Sequence, residues 1–166
     1  MKKCIVIVSF VILIGFTLYL APVFLVPNEI KMNDISMSPT IPLGAVVRFE
    51  KVDKLERCDI IIYKSKKGLV ISRIAAMPNE HVVLLESGIV IDFNIFYGFQ
   101  DLRERRSERI HGKKFSGKEI SKYEVKLSND QFLVICDNQE MPVTGRVGGP
   151  ISDNQIIGRI TSVRFD

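Results

Sequence analysis

Short apolar runs rich in β-branched residues recur along most of the chain, separated by turn signals, and one long uncharged run precedes them. The short runs cover residues 45–49, 59–63, 69–75, 81–85, 89–93, 123–127, 131–136 and 156–165. Lys66-Lys67-Gly68 and Glu86-Ser87-Gly88 separate neighbours as hairpin-type loops, and Ser128-Asn129-Asp130 precedes the seventh run. Eight short strands at this spacing predict a mainly β fold, a twisted and partly closed antiparallel sheet, and not βαβ units. The pattern breaks over 94–122, a variable insertion in which 101–109 reads as a short charged helix.

The long run, residues 4–26, carries no charged side chain. Its 23 residues at 1.5 Å rise reach about 35 Å, enough for a hydrocarbon core of about 30 Å. The expectation is a single N-terminal transmembrane helix, with 1–27 as the anchor and 28–166 as one extracytoplasmic domain. Lys2, Lys3 and the amino terminus stay cytoplasmic by the positive-inside rule. A cleaved signal peptide is the rival reading. The run is too long for an apolar signal core, lacks an A-x-A site, and follows its best small residue, Ala21, with Pro22.

Composition narrows the functional classes. A chain of 166 residues, 46% hydrophobic and 25% charged, is neither disordered, collagen-like nor a coiled coil. A net charge of +4 is too mild to argue for nucleic acid. The cluster Arg103, Arg105, Arg106, Arg109, Lys113 and Lys114 is interrupted by Glu104 and Glu108. It reads as a solvated insertion, with anionic lipid as the minor alternative. Three cysteines in no metal-ligand spacing exclude a zinc module, and no nucleotide loop is visible, so no cofactor is expected. Outside the cytoplasm Cys58 and Cys136 are a candidate disulfide, with two buried thiols the favoured alternative.

Candidate chemistry begins ten residues after the apolar run, at Ser36-Met37-Ser38-Pro39-Thr40 followed by Ile41-Pro42-Leu43-Gly44. A Ser among rigid, turn-forming Pro residues can hold its hydroxyl toward a cleft, although a loop Ser alone is ordinarily a turn residue. With the later blocks in order, the chain resembles the type I signal peptidases, membrane-anchored serine peptidases that trim exported preproteins. Asp59-Ile60-Ile61-Ile62 is similar to the family's Gly-Asp-Ile/Val strand, and Ser72-Arg73-Ile74-Ala75-Ala76-Met77-Pro78-Asn79-Glu80 to its Lys-Arg-Val-x-Gly-x-Pro-Gly-Asp block. Asp137-Asn138, Arg146, Gly149 and Pro150 fall where its Gly-Asp-Asn…Asp-Ser-Arg-x-x-Gly-Pro block would put them, and Ile157-Gly158-Arg159 fits its closing segment. The match leaves 94–122 uncovered.

The resemblance implies a largely β, SH3-barrel-like catalytic domain in a bacterial cytoplasmic membrane, without metal or cofactor. It implies Ser36 as nucleophile, with Met37, Pro39, Arg73, Asp137, Asn138 and Arg146 as supporting motif residues. In that family a desolvated Lys accepts the Ser proton. Here the aligned residue is Ser72, too weak a base at neutral pH. Arg73 stays protonated. His81 lies nine residues further on and reads as a surface strand residue, and Lys64, Lys66 and Lys67 flank a solvated turn. Other departures accompany the lost Lys. Asp34 stands where the family has Gly or Ser, near the oxyanion site, where a carboxylate opposes developing negative charge. Cys58 and Cys136 replace family glycines, Asn79-Glu80 replaces Gly-Asp, and Pro142-Val143-Thr144-Gly145 precedes the retained Arg146. Two functions therefore stay open. One is a serine endopeptidase for exported preproteins. The other is a catalytically degenerate relative that binds or assembles exported or pilin-like proteins.

Overall fold

The computed structural model describes residues 28–85, 88–92, 94–96, 104, 108–109, 123–141 and 143–165. The expected anchor, 1–27, and most of the insertion lie outside them. Among the described residues no helix is long and apolar enough to cross a membrane.

Twelve antiparallel strands form two sheets among the described residues. They are β1 (Glu29–Lys31), β2 (Val46–Glu50), β3 (Ile60–Ser65), β4 (Gly68–Ala76), β5 (His81–Leu84), β6 (Ile89–Ile91), β7 (Asn94–Phe96), β8 (Glu108–Arg109), β9 (Tyr123–Lys126), β10 (Gln131–Ile135), β11 (Val147–Ser152) and β12 (Ile156–Arg164). The larger sheet runs β1-β2-β12-β3-β4-β10-β11 and the smaller β8-β7-β6-β5-β9. All eight expected strands are present within a residue or two of their expected ends. The expectation of one sheet is corrected to two, because β4 runs on into β5 and β9 into β10, carrying the chain out of one sheet and back. The two crossings are bonded to each other, Leu127 N–H to the Glu80 carbonyl at 3.0 Å and Asn79 N–H to the Ser128 carbonyl at 3.2 Å. The helix expected over 101–109 is corrected at its end, since Glu108 and Arg109 pair with β7 as a strand. One helical turn, α1 (Val143–Arg146), precedes β11.

Apolar burial joins the sheets. Ala75, Ala76 and Leu133 of the larger sheet pack with Val82, Leu84, Ile89, Ile91 and Phe96 of the smaller. The Lys66-Lys67 turn closes β3 on β4, with Ser65 opposite Gly68, whose φ of +118° suits glycine. Two positions where the resembled family has glycine also adopt the left-handed backbone, Cys58 at φ +74° and Asn79 at +67°. Asn takes that region readily, whereas Cys is held there at a cost of about 1 kcal/mol or more. At Gly158 the reason for glycine is contact. A Cβ there would lie 2.7 Å from the Glu50 carbonyl oxygen where β12 crosses β2.

Candidate active site

Ser36 opens the turn between β1 and β2. The turn is pinned from beneath by Met37 and Ile41, both wholly buried against Ala45, Val47, Ile62 and Ile71. Each such side chain contributes about 1.5–3 kcal/mol. Helical bonding tightens it, Ile41 N–H to the Met37 carbonyl at 2.8 Å, and the Ser38–Pro39 peptide is cis with Pro39 exposed. From the far end of the chain Asn138 grips the same turn. Its N–H donates to the Ser36 carbonyl at 2.9 Å, and its side-chain amide donates to the Ile35 carbonyl at 3.1 Å. The Ser36 backbone is thus held on both flanks while its side chain stays half-buried at the surface.

One carboxylate oxygen meets that side chain. Asp34 Oδ1 accepts the Ser36 N–H at 2.8 Å and the Ser36 hydroxyl at 2.5 Å. Nearby stands Cys136, whose Sγ lies 4.0 Å from Ser72 Oγ and whose thiol also feels the Ser36 hydroxyl. Ser72 is wholly buried on β4 opposite Ile61, and the Tyr63 phenol on β3 is near enough to feel its hydroxyl. Ser36 and Ser72 are thus both neighbours of the Cys136 thiol.

Burial pushes both acidic hydrogens of this cluster up. The Cys136 thiol is raised chiefly by desolvation, with Asp34 and Asp137 adding to the rise and the Ser72 and Ser36 hydrogen bonds opposing it. The Tyr63 phenol is likewise raised by burial, with Ser72 opposing and Cys136 adding. A group whose folded pKa lies above its unfolded value contributes stability that is whole below the unfolded value and is lost as pH rises through the folded one. Thermal melts of the full-length protein in detergent are therefore expected to fall as pH rises past about 8.5, the ordinary thiol value. Cys136→Ser is expected to move that fall upward toward the phenol range, and an unchanged profile in the variant would remove Cys136 as its source.

The supporting residues form a second, drier layer. Arg73 donates from Nε to Asp137 Oδ1 at 2.9 Å and from Nη2 to Asp137 Oδ2 at 2.5 Å, and a third bond, from Nη1, reaches the Cys58 carbonyl at 2.8 Å. This bidentate pair fastens β4 to the segment that carries Cys136 and Asn138. Glu80, in place of the family's Asp, pairs with Arg57 and accepts the Met77 N–H at 2.8 Å. Arg146 gives its carbonyl to the Cys136 N–H at 2.8 Å, while its buried Nε has no hydrogen-bond partner among the described residues.

Other nominated groups stand apart. His81 Nε2 lies 2.7 Å from Glu124 Oε1 across the smaller sheet, and Lys64, Lys66 and Lys67 are exposed along the β3–β4 hairpin. Cys58 and Cys136 are half-buried thiols with no disulfide between them. No metal-binding group of His, Cys, Asp or Glu occurs among the described residues. Sequence reasoning treated Asp34 as an opponent of the oxyanion, and the structure puts its carboxylate on Ser36 itself. Tyr63 and Cys136 as neighbours of Ser72 were missed. A period-two reading of β3 puts Tyr63 on the face of Ile61, the Cα partner of Ser72, and was the one signal for it.

The family model for signal peptidase, peptidase S26, matches residues 3–165. Comparison with curated proteins finds no match. Among solved structures, the chain is similar to a signal peptidase I from Enterococcus faecalis V583, at 16% identity and a TM-score of 0.45, covering 67% of this chain and 100% of that one.

Proposed function

The chain belongs to the signal peptidase family, peptidase S26, and from that premise we propose that it is a membrane-anchored serine endopeptidase that cuts exported preproteins with Ser36 as nucleophile. The family implies exported preproteins as the substrate class. The observation that supports the reading most directly is the convergence on Ser36. Its backbone is clamped by Asn138, its hydroxyl is bonded by Asp34, and the Cys136 thiol that neighbours it lies 4.0 Å from the Ser72 hydroxyl. A turn whose only task is reversal of the chain needs no such clamp from 102 residues away. In this reading residues 4–26 span the bilayer with the N-terminus cytoplasmic. The site then shares a thin layer with membrane-tethered substrates, which raises their effective concentration. Chemistry is acyl transfer: Ser36 Oγ attacks the scissile carbonyl, the new amino terminus leaves, and water releases the acyl group.

A second reading has one specific observation in its favour. Where the family has an amine there is the buried Ser72 hydroxyl, as expected of a relative that binds exported or pilin-like proteins without cutting them.

The test compares full-length wild type and Ser36→Ala in liposomes on a preprotein with small residues before its cleavage site, separating precursor from product by mass. Wild type is expected to cut and Ser36→Ala to lose at least about 10³-fold in kcat. Wild type that binds the preprotein yet yields no product would replace the endopeptidase reading with the second one.

A further inference from the structure

We propose that Asp34 is the general base of this site, taking the Ser36 proton that a lysine takes elsewhere in the family; the inference rests on the endopeptidase reading above. Its ground is geometric. An Asp that accepts the N–H two residues on is an ordinary turn contact. Here the same oxygen also accepts the nucleophile's hydroxyl, at 2.5 Å, a short contact that puts it in direct reach of the proton a general base must take. The other nominated candidates fail on position or chemistry. His81 is engaged with Glu124 in the smaller sheet, and the lysines Lys64, Lys66 and Lys67 sit on an exposed hairpin. Arg73 has no lone pair to offer and is spent on Asp137. Ser72 and Cys136 are within reach of one another but bring a hydroxyl and a neutral thiol.

The objection that a carboxylate opposes an oxyanion dissolves once the proton moves. As Ser36 Oγ bonds to the carbonyl carbon, the carbonyl π pair shifts to its oxygen and the hydroxyl proton passes to Asp34 Oδ1. The negative charge leaves Asp34 at the moment it appears on the substrate, so the site never holds both. A protonated carboxyl is also the weaker acceptor, which loosens its hold on the Ser36 N–H. That N–H is the backbone donor an acyl-transfer nucleophile ordinarily turns toward the oxyanion. Collapse of the tetrahedral carbon breaks the C–N bond, and the amine departs with the Asp34 proton. Water then attacks the ester, its proton going to Asp34. As the ester C–O bond breaks, Asp34 returns a proton to Ser36 Oγ.

The experiment measures kcat and KM for the full-length protein in liposomes, with Asp34→Asn, Asp34→Ser, Asp34→Glu and Ser36→Ala beside wild type. Asp34→Asn and Asp34→Ser are expected to lower kcat by at least about 10²-fold with KM changed less than about twofold. Asp34→Glu is expected to recover part of the loss. Asp34→Ser restores a residue type usual in the family, so two isosterically different variants guard against a folding artefact at this exposed position. Near-wild-type kcat in Asp34→Asn or Asp34→Ser, with Ser36→Ala dead, overturns the base assignment and leaves the endopeptidase standing. Silence of wild type and Ser36→Ala alike overturns the endopeptidase, and the role of Asp34 with it.

Discussion

Asp137→Ala is expected to lower the stability of the folded chain by about 3–5 kcal/mol, the loss seen when one partner of a buried ion pair is removed. Asp137 is 2% exposed and Arg73 7%. Removing the carboxylate strands a guanidinium whose Nε and Nη2 lose their acceptor, with only the bond from Nη1 to the Cys58 carbonyl remaining from that set. A domain of this size has a total stability of about 5–15 kcal/mol, so the variant sits near the edge of folding. The site goes with it, because Asp137 directly precedes Asn138, which holds the Ser36 turn. Denaturant melts of full-length protein in detergent measure the loss. The double variant Arg73→Met/Asp137→Leu is expected to regain most of it, since apolar groups of like volume leave no stranded charge. A loss under about 1 kcal/mol in Asp137→Ala would mean the pair is better solvated than its burial implies.

Ser72→Lys combined with Cys136→Gly is expected to raise kcat for preprotein cleavage by about tenfold or more over wild type, part of the roughly 10²–10⁴-fold a well-placed base contributes. The pairing follows from space. Ser72 has no exposed surface, and its hydroxyl lies 4.0 Å from the Cys136 sulfur. A lysine introduced alone would overpack that contact, at about 1–3 kcal/mol. Glycine at 136, usual in the family, opens the path from position 72 to Ser36. Desolvation there keeps the amine neutral and able to accept a proton. Mass-resolved cleavage by wild type, Ser72→Lys and the double variant is the measurement. A folded double variant no faster than wild type would mean that an amine at position 72 does not reach the Ser36 hydroxyl.

Local chemistry made much of the fold legible. Eight strands announced themselves through β-branched apolar runs, because a pleated, half-buried backbone selects those side chains wherever it occurs. β11 did not, since Gly148-Gly149-Pro150 reads as a chain breaker. It survives as a strand because it is the outermost of its sheet, paired with β10 alone, where a proline's missing N–H goes unused. β1 and β8 were too short to carry a pattern and exist through the partners that hold them, Arg48 to Val46 for one and Asn94 to Ile95 for the other.

The candidate site divides in the same way. The residue types and their order along the chain, Ser36 in its Pro-rich turn, Ser72 in place of an amine, Asp137-Asn138 and Arg146 downstream, were fixed by sequence alone, and with them the family. Distances between side chains remote in sequence were not. That Cys136 neighbours Ser72 and that Arg73 closes on Asp137 follow from how β4 and β10 pair, and the grip of Asn138 on the Ser36 turn follows from where the chain goes after β10. The contact of Asp34 with Ser36 spans only two residues, yet an aspartate in a turn can face many ways, and here the buried anchors Met37 and Ile41 and the Asn138 clamp fix the turn that presents it. Sequence specifies which groups exist and which backbone each prefers; only packing decides which of them meet.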